Sequence, residues 1–424
     1  ELVILHLEQN RISEIEAGAF ENMSKLMDLS LYDNRLETLE KQTFSGLTNL
    51  VYLDLRNNQI KTIEKHSFLS LVNLETLDLN NNRIEEIKKE MLTGLNVLYS
   101  LDFGINQIEM IEQGTFKDLH HLLFLNLKKN ALEKILCYTF LGLEKLKMLD
   151  LNGNKIKLIE SEAFNELKSL EEIILLNNNI RVIEAKAFID LSRVRYLNLN
   201  DQSITQIFSF VFYKLESIQT LSLINNLLEK IEQFSFVNLA SLVEINLSSN
   251  KIKVIETMAF YDMNNLHMID FSNNDLQILK KITFDNVFLK HLNFSFNSLS
   301  DIEQLAFQGL ENSLLSLNLE SNRFESVKRF YFGNLFKLET LILADNRLSL
   351  IQNGSFDSLI SLKELDLSRN TLFSIQDKLF LNLVNLQRLN LAENVLQTLK
   401  LSLLRNQNYL QSLNLSVNLI EHFS

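Results

Sequence analysis

An asparagine recurs along this chain at Asn10, Asn34, Asn58, Asn82, Asn106, Asn130, Asn154 and Asn178, always 24 residues apart. After one miss, at Gln202, it resumes at Asn226, Asn250, Asn274, Asn297, Asn322, Asn346, Asn370, Asn394 and Asn418. The span from Asn10 to Asn418 is seventeen steps of 24. A fixed period of that size is the mark of a solenoid, in which each unit packs only on its neighbours.

Within one unit, Leu50, Leu53, Leu55 and Asn58 form L-x-x-L-x-L-x-x-N. Leu53 and Leu55 flank Asp54, so a short strand buries one face and opens the other. The same columns hold at Leu5/Leu7, Leu77/Leu79, Leu149/Leu151, Leu221/Leu223, Leu365/Leu367 and Leu413/Leu415. Such strands stack in parallel, about 4.8 Å apart, with the leucines in one core. The asparagine amide carries donors and an acceptor, which suits it to satisfy backbone groups where the chain turns. Later in the unit come Ile60, Ile63, Phe68 and Leu71, and phenylalanine fills its column from Phe20 to Phe380, with Leu92 as a substitute. That column reads as a stacked outer spacer.

The pattern L-x-x-L-x-L-x-x-N-x-I-x-x-I-x-x-x-x-F-x-x-L resembles the "typical" leucine-rich repeat of animal extracellular proteins, along the whole chain. Toll-like receptors and chaoptin-like and Slit-like ectodomains are similar. The resemblance implies a single α/β-type horseshoe over residues 1–424, with a parallel sheet on the concave face. Irregular or short helical segments form the convex one. It further implies non-catalytic recognition, at the cell surface or outside the cell, of a protein or other large ligand, a co-receptor or a second copy of the chain. The rival reading is a self-associating matrix scaffold, or a designed solenoid without a ligand. Both ends look cut, and the cysteine-rich terminal caps of the extracellular families are absent, so a segment of a longer protein is expected.

Composition narrows the field. Net charge is −12, which argues against nucleic acid or an anionic membrane as partner. No apolar run is long enough to span a bilayer, so no direct membrane contact is expected within this segment. Proline is absent and Cys137 is the only cysteine; it reads as an apolar filler. Catalytic motifs and metal-ligand spacings are missing, so neither cofactor nor metal is expected. The doublet His120–His121 should point two ways, and His267 and His291 lack a third ligand. Asp54, Asp78, Asp102 and Asp150 align on the sheet, as carboxylates often do in the resembling family. A glutamate column including Glu16, Glu40, Glu64, Glu112, Glu160, Glu184, Glu232, Glu256 and Glu303 reads as a solvated face.

One stretch departs from solvation. Tyr99, Ile105, Leu123, Phe124, Met148, Ile174, Leu176 and Tyr196 fall at exposed positions, with Tyr32 and Tyr52 extending them. Aromatic and aliphatic side chains gathered on a concave face are the usual material of a protein hot spot. The predicted contact set is Tyr52, Tyr99, Phe124, Met148, Ile174, Leu176 and Tyr196. Sequons at Asn22, Asn246, Asn293, Asn353 and Asn414 are candidate glycan acceptors. Glycans at Asn246, Asn293 and Asn414 would obstruct the C-terminal half of the face. The unit at Gln202 and the 23- and 25-residue steps around Asn297 are the irregular places; the length changes read as drift that a stack tolerates.

Overall fold

A computed structural model describes residues 1–284 and 287–423. The chain divides into two compact units. The first comprises residues 1–204 with 210–218, the second residues 205–209 with 219–424.

In the first unit, eight three-residue strands from Ile4–His6 to Glu172–Ile174 form one parallel sheet, laid down in chain order. The register is one repeat per step: Leu29 pairs with Leu53, Leu53 with Leu77, Leu77 with Leu101. Alternation along each strand sends Leu53 and Leu55 into the core, where both are fully buried. The second unit repeats this with parallel strands from Thr220–Ser222 to Ser412–Asn414. The 23- and 25-residue steps do not disturb it: Met268 pairs with His291, and His291 with Ser316. The chain is a leucine-rich repeat solenoid with almost no helix. Its outer side is built of turns, and the two helical stretches among the described residues are 3-10 turns at Lys89–Leu92 and Leu401–Leu404.

The asparagines do what their amides allow. Asn58 Nδ2 donates to the carbonyls of Leu31, Leu55 and Arg56, and its Oδ1 accepts from Leu36 N–H at 3.0 Å. One side chain thus joins two repeats. Gln202 is no real miss: its Oε1 accepts from Ile180 N–H at 3.1 Å, and its Nε2 donates to Leu175 and Asn200 carbonyls at 3.2 Å. The longer side chain folds back into the same site. The residue before each asparagine turns left-handed, as at Asn57 (φ 53°) and Asn81 (φ 55°). Asparagine tolerates that region, but Ile105 (φ 53°) is β-branched and strained there.

The buried phenylalanines stack, with ring centroids 5.5–6.2 Å apart from Phe116 through Phe140, Phe164 and Phe188. That exceeds the ~4.8 Å strand spacing, so each repeat is a wedge, thicker on its outer side. A second ladder of two-residue strands, such as Thr38–Leu39 with Thr62–Ile63, runs beside the first. It pairs only in runs of two or three strands before it breaks, as expected where the spacing is stretched.

The glutamate column differs from its sequence reading. Glu64, Glu112, Glu160 and Glu303 each accept the backbone N–H of the preceding repeat's outer turn (Lys41, Lys89, Cys137 and Lys281) at 3.0 Å. They are inter-repeat caps as well as solvated groups, because the turn leaves those N–H groups without a main-chain acceptor.

Candidate partner-binding face

The open face of the first unit's sheet is set by residues between and beside the leucines. Along one row, adjacent strands place Asp28, Tyr52, Thr76, Ser100, Phe124, Met148 and Glu172 side by side. Two residues on along each strand, the next row is Ser30, Asp54, Asp78, Asp102, Asn126, Asp150 and Ile174.

Four of the predicted apolar residues are exposed: Tyr99 (45%), Phe124 (36%), Ile105 (39%) and Tyr196 (53%). Tyr99 and Phe124 lie ring to ring, with centroids 5.4 Å apart and planes tilted by 57°. Such a pair is pre-organised, since each ring restrains the other. Tyr32, Tyr52, Leu123, Met148, Ile174 and Leu176 are half-buried instead of fully exposed. At strand spacing, neighbours in a row shield each other's flanks, and a one-dimensional pattern does not register this. Tyr196 heads the strand Tyr196–Asn198, which lies outside the eight-stranded ladder.

The carboxylate row is the part of this face that sequence reasoning undervalued. Asp54 is buried and clamped by Arg56, whose Nη2 lies 2.6 Å from Oδ2 and Nε 2.9 Å from Oδ1. The same guanidinium sits 5.2 Å above the Tyr32 ring and reaches Asp78 Oδ2 only at 3.4 Å. Asp102 takes hydrogen bonds from the amides of Asn80 (3.1 Å) and Asn126 (2.9 Å) and from Gly104 N–H (2.7 Å). Gly104 permits this: a Cβ there would stand 2.6 Å from Asn80 Nδ2 and 3.0 Å from Asp102 Oδ1. Asp78 has less help, chiefly the Asn80 N–H at 3.0 Å. Burial, opposed by that N–H, together with the Asp102 charge pushes its carboxyl up to about 6. The signal for this row was the D-x-x-x-N spacing repeated three times in succession, at Asp54/Asn58, Asp78/Asn82 and Asp102/Asn106.

The remaining candidates separate. His120 Nδ1 meets Glu144 at 3.3 Å and His121 Nδ1 meets the Asn96 carbonyl at 3.2 Å, so the doublet diverges. His267 and His291 adjoin on neighbouring strands; burial, with Lys290 and His291 nearby, lowers the His267 pKa. Among the described residues no group of three or more His, Cys, Asp or Glu could hold a metal ion. The Cys137 thiol is pushed up by burial and by Glu162, away from the reactive thiolate. Asn22 and Asn353 are exposed on outer turns. Asn246 and Asn293 are half-buried on the open face of the second unit, each accepting the N–H of its own sequon serine at 3.0 Å. Asn414 accepts from Ser416 N–H at 3.1 Å. No helix among the described residues is long and apolar enough to cross a membrane.

Strand, asparagine turn and stacked phenylalanine define a leucine-rich repeat protein with an open sheet face. Consistent with this, a leucine rich repeat pattern matches residues 1–60, 48–107, 96–156, 146–202, 312–372 and 360–420. A BspA type leucine rich repeat region matches residues 183–314. The chain belongs to the leucine-rich repeat family. Among solved structures it is similar to that of the Toll–Spatzle complex of Drosophila, with TM-score 0.65 and 21% identity over 93% of this chain and 51% of that one. It is also similar to the TLR13–ssRNA13 complex (TM-score 0.52, 24% identity, 96% of this chain and 72% of that one). An LRR protein of Leptospira interrogans gives TM-score 0.52 and 24% identity over 86% of this chain and 84% of that one. These are likenesses of fold, and the chain spans about half the length of the Toll–Spatzle chain it matches. No curated protein matches it in sequence.

Proposed function

We propose that this chain is a non-catalytic recognition ectodomain of a receptor or adhesion protein, working outside the cell or at its surface. The partner is a protein, whether ligand, co-receptor or second copy, received on the open face at Tyr52, Tyr99, Phe124, Met148, Ile174, Leu176 and Tyr196. The observation that carries the reading is the exposed Tyr99–Phe124 pair, since rigid aromatic anchors dominate protein interfaces. The similar fold of Toll is seen in complex with Spatzle. TLR13 is seen with ssRNA, but here Asp54, Asp78 and Asp102 would repel a phosphate backbone. Sequon glycans at Asn246, Asn293 and Asn414 would leave the aromatic half of the face bare; those at Asn22 and Asn353 would sit on outer turns.

The test is a binding screen of the chain against an extracellular protein library, beside a variant carrying Tyr99→Ser, Phe124→Ser and Tyr196→Ser. A partner kept by the parent and lost by a folded variant supports recognition on this face. Absence of any partner, with concentration-dependent assembly by light scattering, would favour the self-associating scaffold.

A further inference from the structure

Between Tyr52 and Phe124, the row is filled by the small side chains of Thr76 and Ser100. Three strand steps separate the two rings, roughly 14 Å, so side-chain size leaves a dip with aromatic walls. The row beside it, two residues on along the strands, is acidic. Asp54, Asp78 and Asp102 stand directly opposite one another in the parallel register, an arrangement that like charge makes unfavourable. Asp28 and Glu75 add acid at the margin, while Arg56, Lys128 and, on the following turn, Lys129 are cations of this stretch. Arg56 is committed to Asp54 and Asp102 is satisfied by neutral donors, which leaves Asp78 the least compensated of the three.

The turn does not require a carboxylate at this position. Asn126 Oδ1 accepts from Lys128 N–H at 3.0 Å, the same bond that Asp78 Oδ1 takes from Asn80 N–H at 3.0 Å. An asparagine at 78 would serve the fold as well without the repulsion, so the charge is surplus to folding. We propose that this dip receives a lysine- or arginine-bearing segment of a protein partner, with its cation on Asp78 and its aliphatic stem against Tyr52, Tyr99 and Phe124. Aromatic walls suit such a side chain, whose methylenes pack on rings while its charge meets the carboxylate; Arg56 over Tyr32 already shows that pairing on this face. The inference rests on the reading that the open face binds a protein, and names the chemistry of what it binds.

The experiment uses the whole chain and fluorescein-labelled hexaarginine, read by anisotropy at roughly 50 mM salt, where attraction is only partly screened. Asp78→Asn is compared with Asp366→Asn, which removes the same charge from the same column of the second unit, where Asp366 accepts from Ser368 N–H at 2.8 Å and from Asn390. Hexaglutamate is the control peptide. The expected result is binding of hexaarginine that weakens about tenfold in Asp78→Asn and stays within about twofold in Asp366→Asn. Equal weakening in both would mean that only net charge is sensed, and would overturn the proposal; so would failure of the parent to prefer hexaarginine. A library partner lost with Tyr99→Ser and Phe124→Ser but indifferent to Asp78→Asn would remove the cation site and leave the recognition face standing. Loss of hexaarginine in Asp78→Asn, with every partner kept by the aromatic variant, would do the reverse.

Discussion

Replacing Asp78 by asparagine should stabilise the protein at neutral pH. Only 18% of the carboxylate side chain is exposed, and burial together with the Asp102 charge raises its pKa from 3.8 to about 6. The folded chain therefore holds a proton on Asp78 more tightly than the unfolded chain does. Stability should rise as pH falls from about 6 towards 3.8, and the ionised group is a penalty above about 6. At about 1.36 kcal/mol per pH unit, that interval sets an upper bound near 3 kcal/mol, and relaxation around the site brings the expectation to about 1–3 kcal/mol. Asparagine keeps the hydrogen bond to Asn80 N–H, as Asn126 does for Lys128 N–H, so the difference isolates the charge. The assay is urea unfolding of parent and Asp78→Asn at pH values about two units above and below the expected midpoint. The variant should gain stability at the higher pH and lose most of that gain at the lower one. No gain at the higher pH, or the same gain at both, would refute the reasoning, since the effect would then not come from ionisation.

Other changes test the frame that holds the face. Leu149→Ala opens a cavity at a fully buried position and should cost about 2–5 kcal/mol in urea unfolding. Asn58→Ala strands the N–H of Leu36 and removes one of two donors from the carbonyls of Leu31 and Leu55, which keep the amides of Asn34 and Asn82; a loss of about 1–3 kcal/mol is expected, and Asn58→Gln should be milder because Gln202 fills the equivalent site. Ile105→Gly relieves a β-branched residue at φ 53° whose side chain is 39% exposed, and should raise stability by about 1 kcal/mol; a loss measured by the same unfolding would show that its packing outweighs its strain. Glu160→Ala, which removes the acceptor of Cys137 N–H, should speed local amide exchange at Cys137 with little change in global stability.

The period and the two alternating leucines were enough to specify a parallel solenoid, its register and its core. Each repeat meets only its neighbours, so one-dimensional order maps directly onto three-dimensional order. Asn58 could be read as a turn amide because few other roles suit a buried side chain with both donors and an acceptor. The columns beside it were less legible. Glu64 looked like a solvated residue because its partner, Lys41 N–H, is 23 positions away and is a backbone group with no sequence signature. Gln202 looked like a defect because a string of letters does not show that a side chain one methylene longer can fold into the same site. The aromatic residues were found from their polarity alone, yet half-burial of Tyr52 and Met148 came from neighbours across the sheet. The standing of Asp78 was decided in three dimensions: sheet register set three carboxylates abreast, one arginine was engaged with Asp54, and Gly104 let two amides close on Asp102. Packing is local and periodic and so is written along the chain, whereas charge compensation depends on which side chains reach one another across it.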